Sequence, residues 1–116
     1  MLSNPSNNKN IMPIYEKLRR EYQDSIPLKI DKIQSIIEHF QASDSLETLN
    51  ELKFEIHKIA GSAGSFGYPL VSNICKEFEK EINQKIKDFP NTSSHDWKAQ
   101  FQDYLAKIQN SFYKKD

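Results

Sequence analysis

The chain has one cysteine, three glycines and no long apolar run, and each scarcity excludes something. Cys75 has no partner for an internal disulfide, so a reducing compartment, the cytoplasm, is the expectation. No segment approaches the roughly 18 apolar residues of a membrane span, and the N-terminus lacks the basic-then-apolar order of a signal peptide. Neither sign of charge dominates. Sixteen basic residues match sixteen acidic ones and the pI is near 6.8, which removes the bulk electrostatic argument for nucleic acid. There is no GxxxxGK[ST] phosphate loop. His39, His57, His95 and Cys75 lie far apart without HxxxH or CxxC ligand spacing, so no metal site is expected. Ser62 and Ser65 neighbour His57 on a helical stretch, but nothing supplies an oxyanion hole or a walled pocket for a hydrolase.

What is present fits one small domain. At 116 residues, 37% hydrophobic and 28% charged, the chain suits a bundle with one buried stripe per helix. Residues 1–11 are rich in Ser and Asn, lack a hydrophobic period, and read as a flexible arm; residues 12–114 read as the helical domain. Ile14, Tyr15, Leu18 and Tyr22 predict a short extra helix over about 12–23. Asp24 or Ser25 then caps the next helix, with Pro27 in its first turn. Its core face is Ile26, Ile30, Ile33, Ile37 and Phe40. Another helix starts at Ser43 or Asp44, with Glu47 placed for a capping box, and runs to about Phe66. Gly67 is its left-handed terminator and Pro69 follows. The next takes Leu70, Ile74, Phe78, Ile82 and Ile86 inward and ends before Pro90. The stretch 91–94 is a turn, and a last helix buries Trp97, Phe101, Tyr104 or Leu105, Ile108 and Phe112. No segment alternates with period two. The expected fold is all-α: an antiparallel four-helix bundle with a short extra N-terminal helix.

The three glycines fall within seven residues just after a histidine: His57-Lys58-Ile59-Ala60-Gly61-Ser62-Ala63-Gly64-Ser65-Phe66-Gly67. Each interior Gly costs a helix about 1 kcal/mol relative to Ala, so two in one helix need a local reason. On a helical wheel Leu49, Leu52, Ile56, Ile59, Ala63 and Phe66 form a core stripe, and His57 lies roughly 130° from its centre. Asn50, Lys53, Gly61 and Gly64 share the strip of His57, all within about 40°. The wheel therefore places a solvated imidazole beside a surface stripped of side chains, where something large can approach. A neutral imidazole has a free ring nitrogen and is a nucleophile toward phosphorus without an added base. Phe54 lies about 60° from His57 and far from the core. It is either an anchor for a partner or covered by Leu18 or Tyr22 of the first helix, and Ile14, Tyr15 and Leu18 are further candidates for docking.

The stretch from His57 through Gly64, followed by Phe66-Gly67, resembles the phosphorylation motif of histidine-containing phosphotransfer (HPt) domains. Leu70, Val71, Ile74, Cys75, Phe78 and Glu79 look like the family's next helix, which often carries an apolar residue followed by Glu. The resemblance covers residues 57–79 in motif and about 12–114 in helix layout. It implies a four-helix bundle acting as a phosphocarrier rather than an enzyme. His57 would accept a phosphoryl group from the aspartate of a response-regulator receiver domain and pass it to another. Implied partners are receiver domains and a hybrid sensor histidine kinase, with this chain a monomer. No cofactor is implied here, the Mg²⁺ being expected on the receiver. Gly61 matches the glycine that gives the receiver clearance, and Gly64 and Gly67 match later ones. Many members carry Lys where this chain has Ala60. Lys53 and Lys58 are therefore the candidates to offset the roughly −2 charge of a phosphoryl group. That departure also motivates an alternative, a receiver-binding scaffold that does not transfer phosphate. A general helical interaction module is the blander possibility.

Overall fold

The computed structural model describes the backbone of residues 3–42, 46–89 and 97–114, and the side chains of all of these but 3–12, 41 and 42. Four helices account for nearly all of it: α1 (Ser3–Ala42), α2 (Leu46–Ser65), α3 (Pro69–Asp88) and α4 (Trp97–Tyr113), with no strand among the described residues. Each helix packs against the two beside it, in the cyclic order α1, α2, α3, α4. The core they enclose is almost wholly aliphatic and aromatic, with Phe40, Phe78, Phe101, Ile33, Leu52 and Ile56 among its fully buried members. The expected cap at Asp44 and the turn at 91–94 lie outside the described residues.

The expected break between a short first helix and a second is absent: α1 runs unbroken through Pro13 and Pro27. It also takes in residues 3–11 of the segment read as an arm. An interior Pro costs a helix about 3 kcal/mol, yet Tyr22, Ile26, Ile30, Ile33, Ile37 and Phe40 keep one buried face across position 27. Full burial of one such side chain yields about 1.5–3 kcal/mol, so holding several in phase outweighs the Pro. Pro27 is exposed, and so is Gln23, whose carbonyl loses its helical donor there and is open to water. Ser25 Oγ donates to the Tyr22 carbonyl at 2.6 Å. Forty residues make α1 about 60 Å long, against about 30 Å for its 20-residue neighbours. The molecule accordingly measures 68 × 25 × 20 Å.

The inward face of α3 is also rotated from expectation. Leu70 is exposed, Ile74 and Ile86 are half-buried, and the buried set is Val71, Ser72, Cys75, Phe78, Ile82 and Lys85. A strict i, i+4 series advances about 40° per step on a 3.6-residue helix, so five such residues cannot share a face. The spacing 4, 3, 4, 3 from Val71 to Lys85 holds its phase. Lys85 fits there because its stem is apolar and its ammonium lies 5.7 Å from the Trp97 ring centre and 3.7 Å from Glu81. In α2 the predicted Leu49, Leu52, Ile56, Ile59 and Ala63 are buried, Thr48 and Ala60 join them, and Phe66, just past the helix end, is half-buried. In α4 the buried residues are those the periodicity predicts, Trp97 included, with Tyr104 half-buried beside Leu105.

Between α2 and α3 the chain reverses in three residues. Gly67 has φ +91°, the left-handed conformation expected of it. The Tyr68 N–H reaches back to the Ala63 carbonyl at 2.8 Å and the Phe66 N–H to Ser62 at 3.1 Å, closing the orphan carbonyls in the manner of a Schellman turn. α1 fastens the same end. Tyr22 stacks on Phe66 with centroids 4.8 Å apart, its hydroxyl lies 2.9 Å from Ser62 Oγ, and Arg19 Nε donates to the Phe66 carbonyl at 3.3 Å. α2 and α3 thereby lie side by side with His57 opposite Glu79 and Gly64 opposite Ser72.

Candidate functional site

His57 projects from the solvent side of α2, its side chain 72% exposed, as the wheel predicts. Its ring is held from one direction only. Nδ1 lies 3.1 and 3.0 Å from the two carboxylate oxygens of Glu79 on α3, whose own side chain is 19% exposed. An ionised carboxylate can only accept, so Nδ1 carries the proton and donates, which leaves the lone pair on Nε2. Nε2 has no hydrogen bond among the described residues. The result is a fixed tautomer with its nucleophilic nitrogen turned toward solvent.

Glu79 is the site residue that sequence reasoning did not single out. The residue was noted within the α3 pattern, but its meeting with His57, 22 positions earlier, follows only from how the α2–α3 turn sets the helices in register. The signal available was its place directly after Phe78, a core residue, on the edge of α3 that borders α2.

Grooves flank the ring on both sides. One, between α2 and α3, is lined by His57, Ala60, Gly61, Gly64, Lys76 and Glu79 together with Ser65 and Ser72. The other is lined by Asn50, Lys53, Phe54, His57 and Glu79. The glycines of the first groove differ. A Cβ built on Gly61 meets nothing within 4 Å, so nothing among the described residues requires a glycine there. A Cβ on Gly64 would touch Ser72 Oγ at 3.5 Å, an ordinary contact. Gly64 thus faces α3 as well as the surface. Ser72 is committed there, its hydroxyl donating to the Ala60 carbonyl at 2.6 Å.

Phe54 is 61% exposed, so the first helix does not cover it. Its one close partner of opposite character is Lys58, whose ammonium sits 4.7 Å from the ring centre. Lys58 also pairs with Glu55 at 3.1 Å, and Glu55 takes Lys32 of α1 at 3.2 Å. Lys58 is therefore engaged on the α1 side of the ridge. Lys53 makes no ion pair among the described residues and lines the second groove with His57. Ile14, Tyr15 and Leu18 are exposed on the part of α1 that precedes its contacts with the turn.

Other chemistries find little here. Cys75 is buried on α3, and burial pushes its thiol up to about 12, so it is no nucleophile at neutral pH. Among the described residues no group of three or more His, Cys, Asp or Glu is placed to hold a metal ion, and no helix is long and apolar enough to cross a membrane.

A family model described as "Hpt domain" matches residues 17–111. No curated protein and no solved structure matches the chain.

Proposed function

The chain belongs to the Hpt domain family, and from that premise we propose that His57 is the phosphoacceptor of a phosphorelay, taking a phosphoryl group from the aspartate of a response-regulator receiver domain and donating it to another. One observation carries this reading. The sole exposed imidazole of α2 has Nδ1 tied to a carboxylate, Nε2 free, and beside it a glycine whose side-chain space is empty. Family membership supports the role in phosphotransfer; the partners and the residue roles are this proposal's own.

In the transfer, Nε2 bonds to phosphorus as the acyl-phosphate O–P bond of the donor aspartate breaks, its electron pair staying on the carboxylate oxygen. No proton need leave, because Nδ1 keeps its own. The ring becomes a phosphoimidazolium whose positive charge faces the Glu79 carboxylate 3.0 Å away, an interaction stronger in the charged product than in the neutral ring. Glu79 also fixes the ring's orientation, which is the positioning share of catalysis. The Mg²⁺ and its acidic site belong to the receiver in this scheme; the metal shields charge on the phosphoryl oxygens. This chain is then a carrier, an antiparallel four-helix bundle working as a monomer, and a hybrid sensor kinase is the upstream source. Gly61 and Gly64 give the receiver clearance, and Phe54 gives it an apolar contact.

The test is transfer from phosphorylated receivers of the source organism. Label should appear on His57, stable to base and labile to acid, and vanish in His57→Gln. A folded protein that takes no label from any receiver would return the function to the non-transferring scaffold.

A further inference from the structure

We infer that Lys76 of α3, rather than Lys53 or Lys58 of α2, is the cation that holds the phosphoryl group on His57. This assignment rests on His57 being the residue phosphorylated.

The phosphoryl group brings a charge of about −2 to a ring already fastened to a carboxylate. Glu79 cannot be distant from it, since the same imidazole bridges the two. The group therefore needs a cation on the side where it has room. Room exists in the α2–α3 groove, where Ala60 is small and the direction of a Gly61 Cβ is empty. The second groove is about as large, but its wall carries the exposed apolar ring of Phe54, which offers a phosphoryl group no polar contact, beside Asn50. Among the residues lining the α2–α3 groove Lys76 is the one cation. It stands three positions before Glu79, hence on the same face of α3 one turn away.

The alternatives are committed or misplaced. Lys58 shares Glu55 with Lys32 and covers Phe54. Drawing it to His57 would uncover that ring and leave Glu55 with one partner. Lys53 lies in the other groove. Lys76 has no ion-pair partner among the described residues, and Glu79, its nearest candidate along α3, is already bound to His57. It reaches into the groove from the wall opposite the glycines, so a long side chain there spans space that α2 leaves open. Position 60, which holds Ala here, needs no lysine if the charge comes across the groove.

The experiment avoids any receiver. The intact chain is phosphorylated with phosphoramidate: Nε2 bonds to phosphorus while the P–N bond of the donor, protonated on nitrogen, breaks and ammonia leaves with the electron pair. The ³¹P resonance missing from His57→Gln identifies phospho-His57, and its chemical shift is followed against pH at low ionic strength. A cation within about 5 Å at the surface lowers the second phosphoryl ionisation by roughly half a pH unit. Lys76→Gln should raise the midpoint by about that amount, Lys76→Arg should hold it near the parent value, and Lys53→Gln should leave it unmoved. Lys76 is exposed, so these variants fold. An unmoved midpoint in Lys76→Gln, or a shift of that size in Lys53→Gln, overturns the assignment while leaving the carrier reading intact. If His57 takes no label at all, the carrier reading fails and the assignment fails with it.

Discussion

Gly61 and Gly67 are six residues apart and serve opposite ends. Around Gly67 the molecule is bonded to itself: Tyr22 against Phe66, Arg19 on the Phe66 carbonyl, Tyr68 on Phe112 with centroids 5.1 Å apart, and two backbone bonds closing α2. Around Gly61 the contacts are the His57–Glu79 pair and serine hydroxyls on helix carbonyls, Ser65 on Gly61 and Ser72 on Ala60, and nothing among the described residues uses the space a side chain would fill. Both glycines cost backbone entropy. The first cost is recovered inside the fold, through a turn that only a positive φ allows. The second is not recovered by any contact among the described residues, which supports the proposal that the face around Gly61 receives a partner.

The contrast can be broken in several places. His57→Gln has the largest effect: complete loss of acid-labile, base-stable label in a receiver assay, with chemical-denaturation stability within about 1 kcal/mol of the parent because the ring is largely exposed. At the closed end, Tyr22→Ala should cost about 3 kcal/mol in urea unfolding, since an aromatic is removed from between α1, Phe66 and Tyr68. A loss under 1 kcal/mol would mean that α1 is not what fastens the turn. Gly61→Gln should slow phosphotransfer at least tenfold, about 1.4 kcal/mol of barrier, with the fold intact; unaltered kinetics would remove Gly61 from the docking surface. The two glycines should then part in sign when each becomes Ala. Gly67→Ala should lose about 1 kcal/mol of stability, whereas Gly61→Ala should gain about 0.5–1 kcal/mol, both read as shifts in denaturation midpoint. Smallest is Phe54→Ser. Its stability should change by less than about 0.5 kcal/mol, while receiver affinity, measured by titration, weakens if the ring is an anchor.

Much of the site was legible because α2 is a regular helix. A wheel needs only the 100° step to place His57 opposite Leu52, Ile56 and Ile59, and these three are buried while His57 is exposed. Gly67 was legible for a similarly local reason, since a glycine followed by Pro69 ends a helix whatever surrounds it. Glu79 and Lys76 were not, because their relation to His57 lies between helices and depends on a three-residue turn. The continuity of α1 was misread because Pro27 satisfies local rules both as a first-turn residue and as an exposed interior one. Only burial of Tyr22 on one side of it and Ile30 on the other decides between them.

The sequence by itself determined that the chain is helical, that α2 turns His57 outward, and that two glycines clear the strip beside it. Each of these follows from periodicity and backbone freedom within one segment. Tertiary structure decided which nitrogen of His57 is free and that Lys76 lines the α2–α3 groove beside it. It also decided that Phe54 stays exposed and that α1 is one helix. These depend on what α1 and α3 bring against α2, and no local propensity encodes the register between packed helices.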